Sequence, residues 1–136
     1  MRERSVALKL NVLKANIDGK RVIVIDDSIV RGTTLANIIK MLNKGGATEV
    51  HVRISSPKFI YPCFFGTDIP DRSQLASVNY THDELCRKIG ADSLGFLDTD
   101  SVDEIAKHSK LAFCKACFTG NYPCPVPESV NKTEFE

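Results

Sequence analysis

The feature that most constrains this chain is the segment at residues 21–34, RVIVIDDSIVRGTT. It contains an uninterrupted β-branched run at residues 22–25, which is typical of a parallel strand covered on both faces. Asp26 and Asp27 follow the run, and Gly32 permits a tight turn before a helical pattern begins. We therefore predict a central parallel strand that ends in two carboxylates and leads through a short loop into a helix.

The loop between this strand and this helix has the properties of a phosphate-binding site. A helix N-terminus presents unpaired backbone N–H groups and a partial positive charge. Ser28, Thr33 and Thr34 add hydroxyl groups, while the two carboxylates suit vicinal hydroxyls or a magnesium ion. The segment lacks the glycine patterns of Walker loops and dinucleotide folds. An ordinary strand-to-helix turn with a capping side chain is the alternative interpretation.

The remaining pattern indicates an α/β fold, a parallel sheet with flanking helices. The predicted strands are residues 22–25, 49–55 and 93–97, and the predicted helices are residues 33–44, 81–90 and 102–107. Thr81 and Glu84 have the spacing of a capping box. The first helix has the length of a parallel crossover. Three strands are fewer than most sheets contain, so we expect the sheet to be part of a larger one.

Charge and hydropathy exclude several classes of function. The formal net charge is +1, with 18 basic residues scattered among 17 acidic ones, so nothing favours nucleic acid or an anionic membrane as a partner. No segment approaches the roughly 20 apolar residues of a membrane span, and the first 20 residues are interrupted by charges. We expect a cytoplasmic protein.

The cysteines are the second chemical signal. There are five of them, an odd number, which favours metal or cluster ligation over a disulfide framework in a cytosolic α/β chain. Cys114 and Cys117 form a C-x-x-C pair, and Cys63 in a proline-marked aromatic loop is the natural third ligand. The pair alone is compatible with a redox dithiol, half of a zinc site or half of a cluster site. Cys86 on a predicted helix is interpreted as a small buried hydrophobe.

Residues 25–34, IDDSIVRGTT, resemble the phosphoribosyl pyrophosphate (PRPP) signature of type I phosphoribosyltransferases, and in this wording that of the glutamine PRPP amidotransferases. The resemblance implies that Asp26 and Asp27 contact the ribose hydroxyls and hold Mg²⁺. The substrate-binding residues that it implies are Asp26, Asp27, Ser28, Ile29, Val30, Arg31, Gly32, Thr33 and Thr34. Purine mononucleotides are implied as further ligands.

A second stretch, VALKL at residues 6–10, resembles the end of the mobile loop that closes over PRPP in this family. The resemblance implies a catalytic role for Lys9 at the pyrophosphate. Ala7 stands where the family usually has an arginine. A solvated surface lysine is the alternative interpretation of Lys9.

The cysteine motifs extend the resemblance. Residues 61–68, YPCFFGTD, and residues 114–120, CKACFTG, resemble the cysteine motifs of the Bacillus-type amidotransferases. The resemblance implies a [4Fe–4S] cluster bound by Cys63, Cys114 and Cys117, with the fourth ligand missing from this chain. Cys124 as a local fourth ligand, and zinc bound by the four thiols, remain alternatives.

The resemblance also implies a domain organisation and partners. Residues 1–112 are expected to be the C-terminal part of a phosphoribosyltransferase domain, and residues 113–136 a cysteine-motif segment with a tail. The implied enzyme transfers glutamine-derived ammonia to PRPP in the first step of purine synthesis, and is a homo-oligomer. A fragment or a split gene product is expected, with the glutaminase portion elsewhere or on a separate partner chain. A non-catalytic PRPP-binding regulatory module and a cluster-bearing assembly domain are the alternatives.

Overall fold

The computed structural model describes residues 12–66 and 71–126. The strands are β1 (Arg21–Asp26), β2 (Glu49–Ile54) and β3 (Ser93–Phe96). They form one parallel sheet in the order β1-β2-β3, with Val24 opposite Val52 and Val52 opposite Leu94. The predicted α/β class with a parallel sheet and flanking helices is confirmed.

Six α-helices accompany the sheet in the described part of the chain. They are α1 (Lys14–Ile17), α2 (Thr33–Lys44), α3 (Ala76–Asn79), α4 (His82–Ile89), α5 (Thr99–Ala106) and α6 (Ala116–Thr119), with a 3₁₀ turn at Arg72–Gln74. The predicted bounds of α2 are confirmed. Helix α5 begins earlier than predicted, because Asp98 caps it by accepting a hydrogen bond from the Ser101 N–H at 2.7 Å. Within the described ranges, no helix is long and apolar enough to cross a membrane.

The core lies between one face of the sheet and the helices α2 and α4. Ile39 of α2 and Leu85 of α4 are each only 1% exposed, and Val50 and Val52 of β2 are fully buried. The buried members of this core are Ile29, Leu35, Ile39, Val50, Val52, Ile54, Ala76, Leu85, Ile89 and Leu94. The apolar spacing of α2 therefore faces the sheet, as the sequence predicts.

The predicted central position of β1 is wrong for the part of the chain that the structure describes. β1 lies at an edge of the sheet, and its residues alternate between exposed and half-buried. Ile23 and Ile25 are 67% and 76% exposed. A β-branched run is typical of a strand that is covered on both faces, but α2 and α4 pack against only one face of the described sheet.

The capping box at the start of α4 is confirmed. The Thr81 hydroxyl accepts a hydrogen bond from the Glu84 N–H at 3.4 Å, and the Glu84 carboxylate accepts one from the Thr81 N–H at 2.8 Å. These backbone and side-chain hydrogen bonds from Thr81 hold the pKa of Glu84 below its usual value. Two N–H groups of the helix end are thereby satisfied, which fixes where α4 enters the core.

We expect Thr81→Ala to lower the free energy of unfolding by about 1 kcal/mol, because the N-cap acceptor of α4 is lost. Chemical denaturation measures the effect. Thr48→Ala, at an exposed threonine before β2, is the matched control and should change stability by less than about 0.5 kcal/mol. Equal losses in the two variants would contradict the assignment of Thr81 as the cap.

Candidate functional site

The loop after β1 encloses the cavity that the sequence predicts. Its volume is about 390 Å³, and it lies at the carboxyl end of β1, where parallel α/β sheets bind their ligands. The residues that line it are Asp26, Asp27, Ser28, Ile29, Val30, Arg31, Gly32, Thr33, Thr34 and Leu35. Every predicted substrate-binding residue therefore borders one cavity.

The start of α2 has the geometry of an anion site. Gly32 adopts the left-handed conformation, with φ at 78°, and its carbonyl accepts the α2 hydrogen bond from the Ala36 N–H at 3.0 Å. Among the described residues, no side chain caps α2. The first-turn N–H groups, from Thr33 onward, are consequently available to an acceptor in the cavity.

Three contacts hold this loop in place. Ile29 is 2% exposed and belongs to the core. The Val30 carbonyl accepts a hydrogen bond from the Ala76 N–H at 2.7 Å, which ties the loop to the start of α3. The Arg31 Nε donates to the Gln74 Oε1 at 2.9 Å. Arg31 therefore contributes a loop anchor, which its position in the motif did not reveal.

The two carboxylates are linked in series at the mouth of the loop. The Asp26 Oδ1 accepts a hydrogen bond from the Asp27 N–H at 2.9 Å, and the Asp27 Oδ1 accepts one from the Ser28 hydroxyl at 2.9 Å. Each bond uses one of the several acceptor positions that a carboxylate offers. Both side chains can still accept hydrogen bonds from hydroxyl groups of a ligand or coordinate a hard cation.

The predicted catalytic residue Lys9 falls outside the described residues. His51 and Arg53 of β2 lie on the sheet face opposite the core. His51 is half-buried and bonds Glu49 and Ser93, at 2.8 and 2.9 Å.

A second cavity, of about 310 Å³, brings together three of the cysteines. The residues that line it are Cys63, Phe65, Gly66, Cys114, Ala116, Cys117 and Tyr122. Cys63 and Cys117 are half-buried, whereas Cys114 and Cys124 are exposed. Cys86 lies on α4, where it packs against the core and donates its S–H to the Ala91 carbonyl at 3.2 Å. The grouping of Cys63 with the C-x-x-C pair is therefore present in the structure.

Backbone and aromatic contacts attach the C-x-x-C segment to the Cys63 loop. The Cys117 carbonyl accepts hydrogen bonds from the N–H groups of Ile60 and Tyr61, at 3.0 and 3.1 Å. The Tyr122 hydroxyl donates to the Pro62 carbonyl at 2.7 Å. A Cβ on Gly120 would stand 2.8 Å from the Tyr61 ring, so only glycine fits this approach. These contacts fix the two segments that carry the three thiols.

Burial raises the pKa values of two side chains in the cysteine cavity, Cys117 and Tyr122. Burial raises the pKa of the Cys117 thiol to about 11, and the neighbouring Cys63 and Cys114 add repulsion toward its thiolate. Burial and the same thiols raise the pKa of Tyr122. Within the described ranges, no group of three His, Cys, Asp or Glu side chains is arranged to hold a single metal ion. The donor atoms that line the cavity are the soft sulfurs of the three cysteines.

Fold and site together define a parallel α/β protein with a phosphate-binding loop at the carboxyl end of a strand. A scan against protein-family models finds no match. Curated proteins similar to the chain are amidophosphoribosyltransferases. That of Synechococcus elongatus is 45% identical over 135 residues, which is 99% of this chain. That of Pyrococcus horikoshii is 50% identical over 122 residues, and that of Bacillus subtilis 42% over 130 residues.

A solved structure of the same kind of enzyme is also similar to this chain. The B. subtilis glutamine PRPP amidotransferase, complexed with ADP and GMP, superposes with a TM-score of 0.77 at 38% identity, over 92% of this chain and 29% of its own. The chain spans about 27% of the length of the curated relatives. Over most of its length it is thus similar to one part of the amidophosphoribosyltransferases and shares their fold.

We expect Gly32→Ala to destabilise the loop by about 1–2 kcal/mol, because a side chain disfavours a positive φ. The affinity for inorganic phosphate should fall as the start of α2 shifts. Denaturation and phosphate titration measure the two effects. Gly66→Ala is the control, since a Cβ there meets no described atom within 4 Å. Unchanged phosphate affinity in Gly32→Ala would contradict the site.

We expect Cys117 to be alkylated slowly, since only the thiolate reacts and its pKa is about 11. The alkylation rate, measured by mass spectrometry, should keep rising with pH up to about 11. The raised pKa of Cys117 also makes the free energy of unfolding fall as the pH rises above about 9. The reason is that the thiol ionises in the unfolded chain near its ordinary pKa of 9.0 but stays protonated in the folded chain. Saturation of the rate near pH 9 would contradict this environment.

Proposed function

We propose that the chain forms the PRPP-binding part of an amidophosphoribosyltransferase, the enzyme of the first step of purine synthesis. The observation that carries the proposal is the cavity lined by residues 26–35, which brings together two carboxylates and the uncapped start of α2. The similarity to amidophosphoribosyltransferases over 99% of the chain supports it.

In this proposal the loop binds the ribose 5-phosphate end of PRPP. Backbone N–H groups and hydroxyls of residues 28–34 surround the 5′-phosphate, which the start of α2 attracts. Asp26 and Asp27 accept hydrogen bonds from the ribose hydroxyls. Their oxygen donors also suit Mg²⁺, which when bound neutralises charge on the pyrophosphate.

The proposed chemistry depends on positioning. The nitrogen of ammonia forms a bond to C1 of PRPP while the bond from C1 to the pyrophosphate oxygen breaks; pyrophosphate keeps the electron pair and the nitrogen loses a proton. Asp26, Asp27 and the phosphate loop hold C1 in line for this displacement. Lys9, outside the described residues, is proposed to contact the departing pyrophosphate.

Ammonia is proposed to come from a glutaminase portion, either on a longer polypeptide or on a separate chain. The relatives extend well beyond the matched segment, which supports additional polypeptide of this kind. We also propose binding of purine mononucleotides, a homo-oligomeric complete enzyme and a cytoplasmic location. The B. subtilis structure with ADP and GMP supports the first of these.

We expect the chain to bind ribose 5-phosphate and PRPP with Mg²⁺, and Asp26→Asn with Asp27→Asn to weaken binding by about 10- to 100-fold. The reason is that hydrogen bonds to charged groups contribute about 1.5–3 kcal/mol. Isothermal titration calorimetry measures both affinities.

Two controls accompany this titration. Inorganic phosphate should bind the double variant at least as well as the parent, because the carboxylates serve the ribose and repel the anion. Asp83→Asn, at an exposed carboxylate on α4, should leave all affinities unchanged. Equal PRPP affinity in the parent and the double variant would overturn the proposed roles of Asp26 and Asp27.

For the second cavity we propose a [4Fe–4S] cluster of the Bacillus-type class. Cys63, Cys114 and Cys117 line it together, and thiolate sulfur is the donor that such clusters use. The positive charge of the iron in a bound cluster would hold these thiols as thiolates, and so would offset the burial and the thiolate repulsion that raise the pKa of Cys117 in its absence. The fourth ligand is proposed to come from additional polypeptide, with Cys124 as the local alternative.

We expect anaerobic reconstitution with ferrous iron, sulfide and a small thiol to give a brown, air-sensitive protein containing iron. Cys63→Ser should abolish the chromophore, because it removes one of the three cavity thiols. Cys86→Ser is the control and should retain the chromophore. Metal analysis that finds stoichiometric zinc and no iron after reconstitution would overturn the cluster assignment.

A further inference from the structure

The peptide group that precedes the Cys63 side chain is held by a residue far along the chain. The Tyr122 hydroxyl donates a hydrogen bond of 2.7 Å to the Pro62 carbonyl. This carbonyl and the Cys63 N–H belong to one planar peptide group, so a bond that fixes the carbonyl also fixes the plane from which the Cys63 side chain departs. Tyr122 therefore acts on the direction of the thiol without touching the sulfur through its hydroxyl.

The ring of Tyr122 forms part of the wall of the cysteine cavity, together with Phe65 and the three cysteines. The rings of Phe64 and Phe65, which follow Cys63 in the chain, meet the Tyr122 ring edge-on. Their centroid separations from it are 5.2 and 6.3 Å, with interplanar angles of 61° and 65°. Such edge-to-face contacts fix the orientation of the rings as well as burying them. Tyr122 thus contacts the chain both before and after Cys63.

The start of the same loop is attached by other groups. The N–H groups of Ile60 and Tyr61 donate to the Cys117 carbonyl at 3.0 and 3.1 Å. The Arg72 Nε donates to the Ile60 carbonyl at 3.1 Å. These bonds hold residues 60 and 61, and the bond from the Tyr122 hydroxyl extends the attachment to residue 62, next to the residue that carries the thiol.

We propose that Tyr122 is a positioning residue for the cluster, whose hydroxyl and ring hold Cys63 toward Cys114 and Cys117 in the cavity that all three line. The inference rests on the proposed function, since it takes the cluster from it. A loop that is ordered before its ligand arrives loses less conformational entropy on binding. Groups that orient metal ligands without touching the metal strengthen metal sites for the same reason. Without the hydroxyl, Cys63 should be the first of the three thiols to be released.

The test is Tyr122→Phe, which removes the hydroxyl and keeps the ring. Variant and parent are reconstituted anaerobically with iron and sulfide, and an iron chelator is then added together with iodoacetamide. Mass spectrometry follows the labelling of each cysteine, and each rate is divided by that of the same cysteine in the parent, so that differences in accessibility cancel. The ratio for Cys63 should be at least about threefold, the effect of losing one neutral hydrogen bond. The ratios for Cys114 and Cys117 should stay closer to one.

Tyr61→Phe is the matched control. It removes a hydroxyl from the same loop, and the Tyr61 hydroxyl forms no hydrogen bond within the described part of the chain. The ring that packs against Gly120 is kept. All three ratios should therefore equal one in this variant. Circular dichroism of both variants verifies the fold.

The chain without a cluster gives a second measurement, which does not depend on the proposed function. Iodoacetamide should label Cys63 at least about threefold faster in Tyr122→Phe than in the parent, because the peptide before Cys63 is no longer held. Cys86 on α4 is the internal reference and should react equally in both.

The outcomes separate this inference from the cluster itself. A parent chain that binds no iron on reconstitution would overturn the proposed cluster, and with it the role of Tyr122 toward it. Iron binding in the parent with equal Cys63 rates in parent and Tyr122→Phe would overturn the positioning role alone. An equal acceleration of all three cysteines would show a general loss of stability and would also overturn that role.

Discussion

Gly32 carries a φ of 78°, and this left-handed turn sets the direction in which α2 leaves the end of β1. The start of α2 and the carboxylates of Asp26 and Asp27 therefore line the same cavity. It holds because Ile29 is buried in the core and the Val30 carbonyl bonds the Ala76 N–H at 2.7 Å. A helix end without a side-chain cap is tolerable at a ligand site, where an anion supplies the missing acceptors.

The parts of the fold that local chemistry decides were predictable. The apolar spacing of α2 and the capping box at Thr81 depend on residues within a turn or two of each other. The edge position of β1 was not predictable. The β-branched run at residues 22–25 indicates only that the strand is suited to cover on both faces, whereas its actual cover depends on which polypeptide packs beside it.

The candidate site also has some features that the sequence predicts and others that it does not. The motif indicated the cavity residues, since they are contiguous from Asp26 to Thr34. The Arg31–Gln74 anchor joins residues 43 positions apart, and nothing local to either residue signals it. The one-turn helix α6 is too short to show a period. Its position follows from the contacts of the Cys117 carbonyl and the Tyr122 hydroxyl with the loop at residues 60–62.

The two cavities are parts of one packed unit. Leu75, which is fully buried, and Phe59 form a small cluster that also contacts Val30 of the phosphate loop and Cys63 and Cys117 of the cysteine cavity. Close-packed side chains transmit displacements, because they leave few voids to absorb them. Leu75 also precedes Ala76, whose N–H bonds the Val30 carbonyl. The cysteine cavity and the phosphate loop are thus joined by one layer of side chains and one hydrogen bond.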